Sequence, residues 1–134
     1  MTASALLWPA VAQAALIGAV YGYLGIVRGR AIQEERVDTT DFAPGVEPAD
    51  SASVRRHLVN QFEMPVLFFV VIGYLVVVEA ASALDLWVAW AFAASRIAHT
   101  IGALRGPLGL RHAAFTIGAL LVAALWVHLV LALI

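Results

Sequence analysis

Three polar residues at helical spacing lie inside an apolar stretch of this sequence, and they are the first candidates for chemistry. The stretch RRHLVNQFEMPVLFF begins at Arg55 and contains Arg56, Asn60 and Glu63. At about 100° per residue these three side chains share one narrow stripe of a helix. An ionisable residue inside a membrane helix is costly, and it usually faces a protein interior or a wet cavity. We therefore predict that this stripe belongs to a functional site.

A proline follows the stripe and interrupts the pattern of helical hydrogen bonds. Pro65 has no backbone N–H to donate to the carbonyl of Gln61, and its ring crowds that carbonyl. We therefore predict that the helix bends beside the polar stripe.

The composition is that of a membrane protein. Of 134 residues, 63% are hydrophobic, whereas soluble domains average about 45–50%. Cysteine is absent, which excludes disulfides, thiolate metal sites and a cysteine nucleophile. The net charge is −1 and no basic tract is interleaved with aromatic residues, which argues against a nucleic-acid partner.

Four apolar segments are long enough to cross about 30 Å of hydrocarbon. We predict an all-α integral membrane protein, a four-transmembrane-helix up-down bundle in a single domain, residues 1–134. The first basic residue, Arg28, follows the first apolar segment, which favours a retained helix over a signal peptide. The only sizeable polar segment is residues 28–55, and we expect its acidic side chains to be solvated. The predicted spans are residues 6–27, 58–78, 86–104 and 113–134.

The distribution of arginine predicts the orientation in the membrane. Seven of the eight arginines lie in or next to the 28–55 and 105–112 loops, and the connection between the second and third spans has none. The positive-inside rule therefore puts these two loops in the cytoplasm and both termini on the periplasmic side of a bacterial inner membrane. The same rule brings six polar residues to the cytoplasmic half of the bundle: Arg56, Asn60, Glu63, Arg96, His99 and Arg111.

This set of side chains suits a small anion that also carries an amino group. Arginines bind carboxylates, Glu63 could bind an ammonium group, and Asn60 could bind a peptide group. The alternative is a buried pair of Glu63 with an arginine that only fixes helix packing. In either case we expect Glu63 to pair within the membrane, with Arg96 as the first choice.

The sequence resembles the MAPEG family, the membrane-associated proteins in eicosanoid and glutathione metabolism. The pattern Arg56-x-x-x-Asn60-x-x-Glu63, followed by a proline and Phe68, is similar to the second-helix signature of that family. The run NQFEMPVLFF is similar to a bacterial branch. The third-helix run from Ala94 to His99 and the arginine-bearing loop after it also fit, so the resemblance covers nearly the whole chain.

The resemblance implies a homotrimer that binds glutathione, as a co-substrate, between subunits near the cytoplasmic face. Its activity would be that of a glutathione transferase or peroxidase acting on a lipophilic small molecule, with membrane lipids as surroundings. Arg111 would stabilise the thiolate as the catalytic residue. Where characterised eukaryotic members carry third-helix tyrosines, this chain has His99 and Ala103. The implied glutathione-binding residues are Arg56, Asn60, Glu63, Arg96, His99 and Arg30.

Two other functions remain open from the sequence. The chain could be a non-enzymatic membrane subunit or lipid-binding module that keeps the same bundle. A small transporter is less favoured, because no internal repeat or paired broken helices occur. Among the other histidines, we expect His57 to be solvated at a helix end, His112 to be structural and His128 to lie alone. The histidines have no metal-ligand spacing, so we predict no metal site.

Overall fold

The computed structural model describes residues 3–134, and within that range the chain forms helices and loops without a β-strand. A short 3-10 turn, Ala3–Leu6, leads into the first of five α-helices. These helices are α1 (Leu7–Gln33), α2 (Ala49–Asn60), α3 (Met64–Val77), α4 (Ala83–Leu104) and α5 (Leu108–Leu133).

Helices α2 and α3 form one apolar segment with an interruption where Pro65 predicts a bend. In the interruption, residues 61–63, the amides of Gln61 and Phe62 donate to carbonyls three residues back, at 3.0 and 2.9 Å. Glu63 leaves the helical region of backbone space, with φ −97° and ψ −88°. Pro65 lies in the first turn of α3, where its missing N–H is tolerated.

Three helical segments are long and apolar enough to cross a membrane: Ser4–Gln33, Ala49–Val77 and Leu108–Leu133. Helix α4 has 22 residues, and at 1.5 Å per residue this gives a length of about 33 Å, enough for a bilayer core. It is less apolar because its buried face carries Arg96, His99 and Thr100. The first helix extends through Arg28 to Gln33 and α2 begins at Ala49, so the loop itself is residues 34–48.

The largest apolar core lies at the end of the bundle away from the arginine-bearing loops. Its centre is the stacked pair Phe68 and Phe92, whose ring centroids are 4.1 Å apart. Val122 and Leu125 of α5 complete this core, and Leu6 closes its end. A second apolar cluster joins α1 to α2 at the end of the bundle that carries the arginines.

The outer surface of the bundle is rich in large apolar side chains. Trp8, Trp87, Val77 and Leu120 are each at least 65% exposed in the single chain. A soluble monomer rarely exposes a continuous apolar surface of this kind. The helices therefore present these side chains to lipid. This agrees with the lengths of α1, α2–α3 and α5, which are sufficient to cross a membrane.

Glycine permits the close approach of α4 to the start of α5. A Cβ at Gly102 would lie 2.7 Å from the backbone nitrogen of Arg111, well inside van der Waals contact. Since the obstructing atom is backbone, no side-chain rotation would relieve the clash. Gly102 thus sets the distance between Arg111 and the polar face of α4.

The opposite end of the α4–α5 pair is joined by a buried carboxylate. Asp85 forms a capping box with Ser82 at the start of α4, and its second oxygen is 2.8 Å from Nδ1 of His128. The carboxylate is 4% exposed. The expectation that His128 lies alone is wrong, because α5 runs antiparallel to α4 and brings its C-terminal end to Asp85.

We predict that Gly102→Ala lowers stability, because the added methyl group pushes α5 away from α4. Overpacking of this kind costs about 1–3 kcal/mol. The matched control is Gly73→Ala, where a Cβ would meet nothing within 4 Å and the better helix propensity of alanine applies. Thermal unfolding in detergent, followed by circular dichroism, compares the two; equal midpoints would show that α5 adjusts without loss.

Candidate functional site

A cationic cavity lies between α2, α4 and α5 at the end of the bundle that carries the arginine-rich loops. Its volume is about 350 Å³. Helix α2 provides most of its wall, α4 contributes one small residue and α5 contributes Arg111. The lining residues are Ser53, Arg55, Arg56, His57, Val59, Asn60, Ala103 and Arg111.

The charges around this cavity favour an anion. Its wall contains the guanidinium groups of Arg55, Arg56 and Arg111 and no carboxylate. Arg55 is neutralised by Glu47 at 2.6 Å. Among the described residues, Arg56 and Arg111 have no carboxylate within ion-pair distance. Two guanidinium groups are therefore free to bind carboxylate or thiolate groups of a ligand, with the Asn60 amide beside them.

A chain of buried hydrogen bonds runs behind the cavity and joins three helices. The amide of Gln13 in α1 donates to the side-chain oxygen of Gln61 at 3.0 Å. The Gln61 amide nitrogen lies 3.0 Å from Nε2 of His57 and donates to the Thr100 hydroxyl at 3.3 Å. Nε2 of His57 lies 3.0 Å from the hydroxyl of Thr100, which donates to the carbonyl of Arg96 at 2.8 Å. Each of these side chains thereby has at least one hydrogen-bond partner, which reduces the penalty of its burial.

The position of His57 corrects the expectation that it is a solvated helix-end residue. Helix α2 starts eight residues before His57, at Ala49, so His57 lies well inside the helix. Its side chain is 3% exposed.

His99 holds the first turn of α5 in place. Its Nδ1 donates to the backbone carbonyl of Arg111 at 3.0 Å. Its ring centroid is 5.3 Å from that of His57 and 5.7 Å from that of Phe115. His99 is buried and lies behind the wall of the cavity, where it positions Arg111.

The expected pairing of Glu63 with Arg96 is wrong within this chain. Glu63 is exposed at the interruption between α2 and α3, and no ion pair joins it to Arg96 among the described residues. The physical reason is the interruption, because a helix broken at 61–63 no longer keeps Glu63 on the stripe of Arg56 and Asn60. Arg96 itself is fully buried.

The structure brings together only part of the residue set expected from the sequence. Arg56, Asn60 and Arg111 line the cavity, whereas Arg96 and His99 are buried behind it and Glu63 lies outside its wall. Arg30 lines a neighbouring cavity of about 460 Å³. Ser53 lines both cavities, so the two are adjacent.

Sequence reasoning missed the residue that orders the polar loop. Glu47 accepts hydrogen bonds from Arg28 at 2.7 and 3.0 Å, from Ser51 at 2.7 Å and from Arg55 at 2.6 Å. Its carboxylate is 1% exposed, contrary to the expectation of solvated acidic residues. The spacing of Ser51 and Arg55, four and eight residues after Glu47, was an available signal.

The surroundings of Glu47 also determine its ionisation. Burial raises the pKa of Glu47, but hydrogen bonds from Ser51, Arg28 and Arg55 outweigh that effect and lower the pKa below its ordinary value near 4.5. Glu47 therefore stabilises the fold as a carboxylate and joins the end of α1 to the start of α2.

The fold and the site together define an all-helical membrane protein with a cationic cavity near one end of its bundle. The MAPEG family model matches residues 6–131, nearly the whole chain, and the chain belongs to that family. Searches of curated proteins and of solved structures found no match. In residues 3–134 no three histidine, cysteine or acidic side chains are grouped so as to hold a metal ion.

We predict that Glu47→Gln destabilises the protein in a pH-dependent way. Hydrogen bonds to a charged group contribute about 1.5–3 kcal/mol, and we expect the lower end because Arg28 and Arg55 are about one-third exposed and can rehydrate. Since the folded pKa lies below the unfolded value, the contribution is present above about pH 4.5 and lost as the pH falls through the folded pKa.

The measurement is the thermal midpoint in detergent between about pH 3 and pH 7. The difference in thermal midpoint between the wild type and Glu47→Gln should shrink as the pH falls. Asp41→Asn is the matched control, because Asp41 is an exposed acid of the same loop and should leave the midpoint unchanged. A constant difference between wild type and Glu47→Gln across this range would contradict the assigned role of the charge.

Proposed function

We propose that this protein is a membrane-bound glutathione-dependent transferase or peroxidase that acts on lipophilic electrophiles or lipid hydroperoxides. Membership of the MAPEG family supports this class of activity. The observation that carries the proposal is the cavity that places Arg56, Asn60 and Arg111 around one space. These are three of the residues for which the family resemblance implies a role at glutathione.

The chemistry of glutathione matches this wall. The tripeptide carries two carboxylates, an ammonium group, two peptide groups and a thiol. Arg56 would bind a carboxylate and Asn60 a peptide group. A guanidinium can donate two parallel hydrogen bonds to a carboxylate. A side-chain amide can both donate to and accept from a peptide group. The remaining requirement is a cation beside the sulfur.

Arg111 can supply that cation. A free thiol has a pKa near 8.5, so only a few per cent is ionised at neutral pH. A guanidinium about 4 Å from the sulfur contributes up to about 4 kcal/mol at an effective dielectric constant near 20, which corresponds to roughly three pKa units at most. Arg111 lies in the first turn of α5, where the helix dipole favours an anion by a further ~0.3–1 kcal/mol.

A homotrimer would complete this site. In a single chain Arg56 and Glu63 are exposed, although both belong to a segment apolar enough to lie in the membrane. A neighbouring subunit would shield them from lipid and close the open side of the cavity. Glu63 would then face the interface, where it could bind the ammonium group of glutathione. Arg30, beside the adjacent cavity, could contribute from the same side.

The proposed topology has four spans, α1, α2–α3, α4 and α5. Both termini would lie in the periplasm of a bacterium, and the cavity would open at the cytoplasmic face, where glutathione is available. The arginine distribution supports this orientation. Entry of the second substrate from the lipid would then suit its lipophilic character.

One observation favours the alternative of a non-enzymatic membrane subunit. The chain from Gln13 through Gln61 and His57 to Thr100 joins α1, α2 and α4 without any need for a ligand. Buried polar groups of this kind can specify helix packing alone. The two functions differ in one respect that can be measured, namely whether the folded protein binds glutathione.

We predict that glutathione raises the apparent melting temperature of the detergent-solubilised protein. A ligand at about 100 times its Kd stabilises the folded form by about 2.7 kcal/mol. Arg56→Ala should lose most of this shift. Arg105→Ala, at an exposed arginine outside the cavity wall, should keep it. No shift in the wild type would favour the non-enzymatic alternative.

We predict that Arg111→Ala retains glutathione but loses its thiolate. Ultraviolet absorbance of the complex near 240 nm, roughly where thiolates absorb, reports the ionised fraction, which should fall from most of the bound ligand toward the few per cent of free thiol. The control is again Arg105→Ala. An unchanged thiolate fraction in Arg111→Ala would make Arg111 an anchor for the loop, with His112 as the next candidate for the base.

We predict that single cysteines at Ser4 and Thr40 label from opposite sides of sealed vesicles. Both positions are exposed, and Thr40 lies in the loop that carries the arginine excess. Since the chain has no native cysteine, an impermeant maleimide reports each site without background. Labelling of both positions from the same side would refute the topology.

A further inference from the structure

The most unusual polar group in the structure is the guanidinium of Arg96. The residue is 0% exposed, and its Nε and both Nη atoms are buried without a hydrogen-bond acceptor among the described residues. Its guanidinium lies over the ring of Phe115, whose centroid is 5.9 Å from Cζ. A cation over an aromatic ring gains about 0.5–2 kcal/mol, which is much less than the penalty of removing a charge from water.

The neighbouring histidines extend this cluster of unpartnered groups. The His99 ring packs against the same Phe115 ring, and the His57 ring packs against His99. Nδ1 of His57 and Nε2 of His99 are also buried without a partner. The guanidinium of Arg96 thus lies in one contiguous region of the bundle with two further polar atoms that have no partner.

No acidic side chain of the described residues is available to this guanidinium. The buried acids are Glu47, which is bound by Arg28 and Arg55, and Asp85, which is bound by His128 at the other end of α4. Glu63 is exposed at the helix interruption. Arginine cannot lose its proton in a protein, so the charge must be balanced by something other than these carboxylates.

We propose that Arg96 binds a small inorganic anion, of the size of chloride, inside the bundle. The anion would accept hydrogen bonds from the guanidinium, whose three nitrogen atoms all lack an acceptor among the described residues. A monatomic anion suits this set of donors, and Arg96 lines neither the cationic cavity nor the cavity beside it. The proposed site is therefore separate from the cationic cavity, and it does not depend on the proposed glutathione chemistry.

The anion would act as an internal counter-ion that fixes α4 against its neighbours. Thr100, which is bonded to the Arg96 carbonyl, and His99, which is bonded to the Arg111 carbonyl, lie on the same buried face of α4. Loss of the anion should therefore lower the stability of the whole bundle. Arg56 and Arg111 would still line the cavity, so glutathione binding would not require the anion.

The test compares thermal unfolding of the purified full chain in chloride and in gluconate at equal ionic strength, without glutathione. At about ten times its Kd, chloride should raise the midpoint by about 3–6 °C, and above the Kd the shift should grow with the logarithm of the chloride concentration. In Arg96→Met, which keeps a similar volume, the shift should vanish. In Arg105→Met, at the exposed arginine just after α4, it should remain.

Equal midpoints in the two salts, or a chloride shift that survives in Arg96→Met, would overturn the proposal. If Arg96→Met does not fold, crystals of the wild type grown in bromide decide, because an anomalous peak should lie within about 3.5 Å of the guanidinium nitrogens. No peak there would overturn the proposal.

Thermal unfolding with both chloride and glutathione present distinguishes the anion site at Arg96 from the proposed glutathione site. If its stabilising effect adds to that of chloride, the two sites are distinct, as proposed. If saturating glutathione abolishes the chloride shift, the acceptor at Arg96 is a carboxylate of glutathione, and the inorganic site is refuted while glutathione binding is supported. A chloride shift without any effect of glutathione would refute only the glutathione function.

Discussion

The penalty for burying polar groups in an apolar bundle is the constraint on which this structure depends. In lipid, each unpartnered group costs several kcal/mol, so polar side chains in the interior need hydrogen-bond partners. Gln13, Gln61, His57 and Thr100 each have at least one partner in a chain across α1, α2 and α4, whereas the guanidinium of Arg96 has none among the described residues. The cavity can exist beside them because the polar groups behind its wall are held in fixed positions.

The interruption at residues 61–63 determines which polar groups face inward. Gln61 is buried and reaches both Gln13 and His57, whereas Glu63, two residues later, is exposed. Pro65 makes the interruption inexpensive, because a proline in the first turn of α3 replaces a broken helical bond with a normal helix start. The interruption beside Pro65 thereby leaves the Gln61 amide in the interior and the Glu63 carboxylate on the surface, where it is available to a neighbouring subunit or ligand.

The sequence predicted the helical membrane class, the family and the main members of the cavity, because these depend on composition and on local spacing. Long apolar runs identify α1, α2–α3 and α5, and Arg56 and Asn60 share a face of α2. Contacts between distant segments were not predictable in this way. The burial of His57 depends on Gln13 and Thr100, and the partner of His128 is Asp85; nothing in local spacing links these residues.

The errors have a common physical origin. Glu63 was expected to pair with Arg96 because its spacing places it on one helical stripe with Arg56 and Asn60, whereas α2 ends at Asn60, three residues before Glu63. Glu47 was grouped with solvated acids because its segment is polar on average, and an average over a loop cannot show that one carboxylate lies between two guanidinium groups.

The four hydrogen bonds to Glu47 also divide the polar loop into two parts with different tolerance to change. Because Glu47 fixes the return of the chain to α2, the exposed residues between Asp38 and Asp41 do not determine where α2 begins. Lengthening a flexible loop is inexpensive, at about 0.6 kcal/mol for each doubling. This part of the loop can therefore diverge in length and sequence, or accept an inserted peptide, while the arginines around the cavity keep their positions.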